Sequence, residues 1–185
     1  MDATILTTAL SLAIALLTPA DVAVSSQPAP MAGESHCVIT TFGQRDDGRL
    51  ITSDPECFDT FAGAMTEASQ GTLRLPAGTS ETVLFTDSSV AAAVSAFTLG
   101  IHFDGYSGTG SSLTVAGSSC TGGWWNTPSW FDNRISSSSN GCARLKHFDY
   151  PNVSGYLAAT TGAGTTDNLP SGANNRTESV SYHSS

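Results

Sequence analysis

The hydrophobic rhythm of the chain changes near residue 97. From there to the end, short segments alternate apolar and polar positions: FTLGIHF (97–103), SSLTVAG (111–117), RISSSS (134–139), CARLKHF (142–148), GYLAATT (155–161) and ESVSYH (178–183). Gly, Ser, Asn and Pro separate them. Alternation with period two buries one face of a strand, and many short strands at close spacing predict an all-β sandwich or barrel. Ahead of this region the pattern is mixed. CVITTF (37–42) reads as a strand, QRDDGR (44–49) carries the Asp-Gly signal of a hairpin turn, and LITSD (50–54) returns. Phe58, Phe61, Ala62, Met65 and Ala68 then fall at helical spacing, with Asp59 placed to cap the helix and Gly71 to stop it. The expectation is a small β-β-α unit over 37–75, including a short strand at 72–75. A connector over 76–96 follows, ending in an Ala-rich run, and then an all-β domain over 97–185.

Residues 1–25 contain an apolar run, about 5–17, shorter than the roughly 20 residues that span a bilayer. Small residues follow it, so it reads as a secretory signal, although Asp2 stands where Lys or Arg is usual. Residues 26–36 read as a linker. Four cysteines come after the signal, and an even count in an exported chain suggests two disulfides. Three pairings are open; Cys37–Cys57 with Cys120–Cys142 is preferred because each pair brackets a self-contained segment.

Charge narrows the function. The net charge is -9 and only 7 residues are Lys or Arg, which leaves no basic stripe for nucleic acid. Beyond the N-terminal run nothing is apolar enough to cross a membrane. Asp and Glu number 11 before residue 97 and 5 after it, so the second half is nearly neutral. It also contains a repeat. His102-Phe103-Asp104 recurs at His147-Phe148-Asp149, each followed by Ser-Gly, a Leu-containing strand and a polar cluster. Units this short are expected to pack as a pair around one core.

The clusters are DNRISS (132–137) and NNRTES (174–179). With the hairpin FDYPNVSGYL (148–157), which fits aromatic-x4-aromatic-x-Gly apart from Val153, they resemble the βγ-crystallin Greek-key family. In the first repeat, IHFDGYSG (101–108) matches through Tyr106-x-Gly108, with Ile101 where the first aromatic belongs. The first cluster fits the family's run of two Asp/Asn, two variable residues, Ser/Thr and Ser; the second departs at Glu178. The resemblance covers 97–185 and extends to secreted microbial members, including small metalloproteinase inhibitors.

The resemblance implies a mainly β, two-motif Greek-key sandwich, preceded here by the disulfide-pinned β-β-α unit. It also implies one or two calcium ions clamped between the clusters. Carried over by position, the ligands are Asp132, Asn133, Ser136 and the carbonyl of Arg134, with Asn174, Asn175 and the carbonyl of Arg176 from the partner loop. Asp104 or Asp149 would stand near enough to add one. Few formal charges converge, so affinity on the order of 0.1–1 mM is expected, as in extracellular modules.

Other chemistry is thinner. Trp124, Trp125 and Trp130 are candidate partner contacts, although adjacent tryptophans on a strand cannot both face inward. His36, His102, His147 and His183 show no short ligand spacing, so a histidine-based metal cluster is not expected. No G-x-S-x-G or other ordered nucleophile motif is present, which argues against an enzyme. The expectation is a secreted, monomeric, calcium-binding protein. It would inhibit an extracellular protease through residues 121–129, serve as a calcium-stabilised structural or cell-surface module, or act as an antimicrobial or toxin.

Overall fold

The computed structural model describes residues 33–185, so the expected signal and most of the linker lie outside the described residues. The described chain is mainly β, in two sheets with a helical layer. Its elements run β1 (His36–Gln44), β2 (Leu50–Thr52), β3 (Glu56–Phe58), α1 (Phe61–Ala68), α2 (Val83–Thr86), α3 (Ser88–Ser95), β4 (Thr98–Phe103), β5 (Ser112–Ala116), β6 (Thr121–Asn126), β7 (Ser137–Asn140), β8 (Arg144–Tyr150), β9 (Ser154–Thr161), β10 (Thr166–Asn168) and β11 (Ser179–His183).

Sheet one runs β10-β7-β4-β5-β1-β2, with β3 also on β1; sheet two runs β6-β11-β8-β9. The order follows the repeat. Strands β4 to β7 form one unit and β8 to β11 the other, and the third strand of each unit lies in the other unit's sheet. The expected β-β-α unit is present as a succession of elements, but its strands extend sheet one rather than forming a separate sheet. β1 pairs in parallel with β5, from His36 opposite Ser112 to Thr40 opposite Ala116. His36, expected at the end of the linker, begins this strand and is fully buried.

Sheet one is covered on both faces. Leu99, Leu113, Val115, Leu145, Val180 and Tyr182 fill the space between the sheets. Val38, Phe61, Met65, Val90, Val94, Ile101 and Phe103 pack between sheet one and the helices. A register irregularity between Thr98 and Gly100 explains how Leu99 faces one core while Ile101 and Phe103, of the same parity, face the other. Two-sided burial also accounts for the nearly continuous apolar run of β4.

Local chemistry fits these elements, with corrections. The Asp-Gly turn closes as expected: Gly48 N–H donates to the Arg45 carbonyl and Arg49 N–H to Asp47 Oδ1, at 2.9 Å each. Helix α1 is capped by Thr60, not Asp59; the Thr60 hydroxyl accepts from Gly63 N–H at 3.1 Å. Residues 72–75 form no strand. The Ala-rich connector folds as α2 and α3, and Asp87 caps α3 by accepting from Ser89 and Val90 N–H. Among the described residues no helix is long and apolar enough to cross a membrane.

Both expected disulfides are present. Cys37 and Cys57 face each other across β1 and β3, and Cys120 joins Cys142 over a separation of 22 residues. Closing a loop of this size limits the unfolded chain by roughly 3 kcal/mol. Replacing Cys120 and Cys142 together by alanine is therefore expected to lower unfolding free energy by about that amount, read from the urea midpoint. An unchanged midpoint would refute it.

Candidate functional site

The two polar clusters meet. Asn133 N–H donates to the Thr177 carbonyl at 3.2 Å, and Asn175 N–H to the Ile135 carbonyl at 3.0 Å. With an offset of 42 residues these are the same bond made twice, so a pseudo-twofold axis passes between the corners. The side chains obey it too. Ser136 Oγ donates to Asn175 Oδ1 at 3.1 Å, and Asn133 Nδ2 donates to Glu178 Oε1 at 3.0 Å. Glu178 thus occupies the position of Ser136, and its carboxylate reaches the partner amide from a longer stem. Asn133 and Asn175 both adopt left-handed backbone, at φ 57° and 53°, which Asn tolerates better than most residues.

Each corner is buttressed from its hairpin by equivalent contacts, the hairpin residues offset by 45 and the corner residues by 42. Arg134 grips Asp104, and Arg176 grips Asp149, both at 2.5 Å. The Ser137 hydroxyl donates to the Gly105 carbonyl and accepts from Gly108 N–H; that of Ser179 donates to the Tyr150 carbonyl and accepts from Val153 N–H.

These equivalences correct the matching of the hairpins. Phe103, not Ile101, stands where Phe148 stands; Gly110, not Gly108, stands where Gly155 stands; and Gly108 matches Val153. Neither hairpin carries the second aromatic. Val153 has φ 54°, strained for a β-branched residue, while its counterpart Gly108 has φ 69° and no such restriction.

Of the expected ligands, Asn133, Ser136 and Asn175 lie in these paired contacts across the axis, and Arg134 and Arg176 sit beside them. Asp132 Oδ1 accepts from the Thr127 hydroxyl at 2.8 Å, and that hydroxyl also donates to the Glu178 carbonyl. Asn174 Oδ1 and Thr177 Oγ1 are buried without a hydrogen-bond partner among the described residues. Asp104 and Asp149 are committed to guanidinium groups and so do not supply free carboxylates. The corners therefore gather amide, hydroxyl and carbonyl oxygens with little net negative charge. This donor set suits a hard cation, held weakly.

The aromatic cluster divides. Of residues 121–129, expected as the exposed part of a rigid loop held by Cys120–Cys142, 121–126 form the edge strand β6, hydrogen-bonded to β11. Trp125 is buried in the inter-sheet core, so it is not a partner contact. Trp124 turns the other way, its Nε1 donating to the Asp47 carbonyl at 3.1 Å, and Trp130 is 40% exposed. The outer face of sheet two presents Phe148 and Tyr156 beside Arg144 and Lys146, a basic and aromatic surface on an acidic protein.

The sequence gives no sign of one further constellation. Glu34, His36 and Glu81 bring ligand atoms within 4.8 Å of one another. Glu34 and His36 stand two residues apart, but Glu81 follows 45 positions after His36, and only the fold brings it to them. Comparison with protein-family models, curated proteins and solved structures finds no match to this chain.

Proposed function

We propose that this chain is a secreted module of βγ-crystallin type, whose two Greek-key motifs share calcium at their paired corners and which acts by binding rather than by catalysis. The observation that carries the reading is the reciprocal contact of Ser136 with Asn175 and of Asn133 with Glu178. Two loops too short to surround calcium alone are joined by symmetry into one oxygen-lined place. The exchange of third strands between the sheets supports the Greek-key assignment, because it is what brings the corners together. The unpartnered oxygens Asn174 Oδ1 and Thr177 Oγ1 fit a cation-dependent rearrangement of the second corner. Two disulfides favour an oxidising compartment. When bound, calcium would hold residues 132–136 and 174–178 together electrostatically, adding stability without new packing.

The test is a melting experiment with calcium. A hundredfold excess over Kd should add about 2.7 kcal/mol, magnesium should add less, and Asn175→Ala should abolish the effect. Melting that ignores calcium would refute the ligand assignment.

A second reading, inhibition of an extracellular protease, rests on exposed Trp130 in the connection between β6 and β7, both ends of which are anchored in sheets. A rigid projecting residue loses little entropy on binding. The reading predicts inhibition of a metalloproteinase panel that weakens in Trp130→Ala, while failure against the panel leaves the calcium module standing alone.

A further inference from the structure

We propose that Glu34, His36 and Glu81 form a binding site for a divalent transition-metal ion, with Zn2+ the best match, separate from the calcium corners. His36 is the first residue of β1, Glu34 lies two residues before that strand, and Glu81 lies in the segment just before α2. One ligand atom from each lies within 4.8 Å of the others, a spread that small side-chain movements would close to three corners of a tetrahedral shell, with water at the fourth.

His36 is the strongest observation. It is fully buried, its Nδ1 lies 3.0 Å from Ser112 Oγ, and its Nε2 has no hydrogen-bond partner among the described residues. Leaving a buried polar atom without a partner is destabilising. With Nδ1–H donating to Ser112, the Nε2 lone pair is free. This is the arrangement in which ligating histidines are usually held: one nitrogen on the metal, the other fixed by an outer partner.

The carboxylates point the same way. Glu81 is 3% exposed, Glu34 is half-buried, and neither has an ion-pair partner among the described residues, where both salt bridges involve other carboxylates. Burial raises the Glu81 pKa and Glu34's charge raises it further, while burial lowers that of His36 to about 4. His36 is thus neutral and ready to ligate at neutral pH. Once coordinated, the two glutamate carboxylates would set two negative charges against a divalent ion. Asp104 also acts electrostatically on His36, but its carboxylate is held by Arg134. An imidazole among the ligands favours zinc and its neighbours over calcium or magnesium. A bound ion would fasten the first residues of β1 to the helical layer.

The experiment uses the full disulfide-bonded chain, stripped with EDTA and titrated with Zn2+ by calorimetry and by competition with a chromophoric chelator. The expected result is one ion per chain, with melting temperature rising as the site fills. Glu34→Gln, at the most exposed of the three positions, should weaken binding at least about tenfold while leaving the circular dichroism unchanged. His36→Gln and Glu81→Gln should abolish it. Co2+ supplies a second readout that does not depend on the folding of these buried variants: visible bands on the unaltered chain, lost in Glu34→Gln. His183→Ala, which removes a surface histidine, should change nothing. Absence of Zn2+ binding overturns the proposal, as does binding that survives Glu34→Gln or vanishes in His183→Ala. Millimolar calcium should not displace the zinc, so the two metal assignments stand or fall separately.

Discussion

Acidification from about pH 7.5 to about pH 5 is expected to remove several kcal/mol of unfolding free energy. The cause is three buried imidazoles. Burial lowers His36 from 6.5 to about 4 and His147 to about 3. His102 is also held well below its ordinary value, by burial first and by the neighbouring His147 second. Their surroundings offer little to a proton. His102 contacts Ser138 Oγ at 2.9 Å and Tyr182 Oη at 3.0 Å, its ring meets His147 edge-on at 5.8 Å, and neither nitrogen of His147 has a hydrogen-bond partner among the described residues.

A base with a lowered folded-state pKa is protonated first in the unfolded chain. The unfolded state therefore binds more protons between about pH 6.5 and about pH 3–4, and stability falls as pH falls through that window. At pH 5 each such histidine contributes up to about 2 kcal/mol of loss. Glu81, whose pKa is raised, works in the opposite direction and trims the total. Urea unfolding at the two pH values, in EDTA, gives the difference. Replacing His147 with leucine should flatten the dependence by about one proton. Equal stability at both pH values would show that these rings are not buried as described.

Replacing Gly141 by alanine is expected to cost about 3 kcal/mol or more. Gly141 lies in the short link between β7 and β8, where the chain passes from one sheet to the other. Its N–H and that of Cys142 both donate to the Leu99 carbonyl at 3.1 Å, which presses the link against β4. A Cβ at this position would overlap the backbone carbonyl of Thr98. No rotamer change moves a backbone atom, so the strain would spread into β4, between the two cores. Gly78→Ala is the control: nothing lies within 4 Å of a Cβ there, and the change should stay within about 0.5 kcal/mol. Matching urea midpoints for the two variants would defeat the argument.

Most of the strands that could be read from the sequence were those in which apolar residues carry the burial, although RISSSS also marked β7. Alternation in SSLTVAG, CARLKHF and ESVSYH marks β5, β8 and β11 because Leu, Val and Tyr enter the core. β7 obeys another rule. Ser137, Ser138, Ser139 and Asn140 are all buried, yet none is apolar. Ser137 serves the first hairpin, Ser138 bonds His102, and Asn140 accepts from the Thr160 hydroxyl at 2.6 Å. Hydroxyls that find partners can fill a core, but partners remote in sequence leave no periodic trace. β6 was hidden by its paired glycines and β10 by its brevity. The adjacency of Trp124 and Trp125 was informative, since the two do face opposite ways. At the corners, sequence supplied the residues, whereas the fold supplied the arginine–aspartate grips and the true register of the first hairpin. Glu34, His36 and Glu81 could not have been joined without it.

The exchange of β6 and β10 between the sheets has a further consequence. Neither repeat owns a complete sheet, so neither can melt while its neighbour stays intact; each would strip an outer strand from the other as it left. The duplicated halves are bound into one cooperative transition and are gained or lost together.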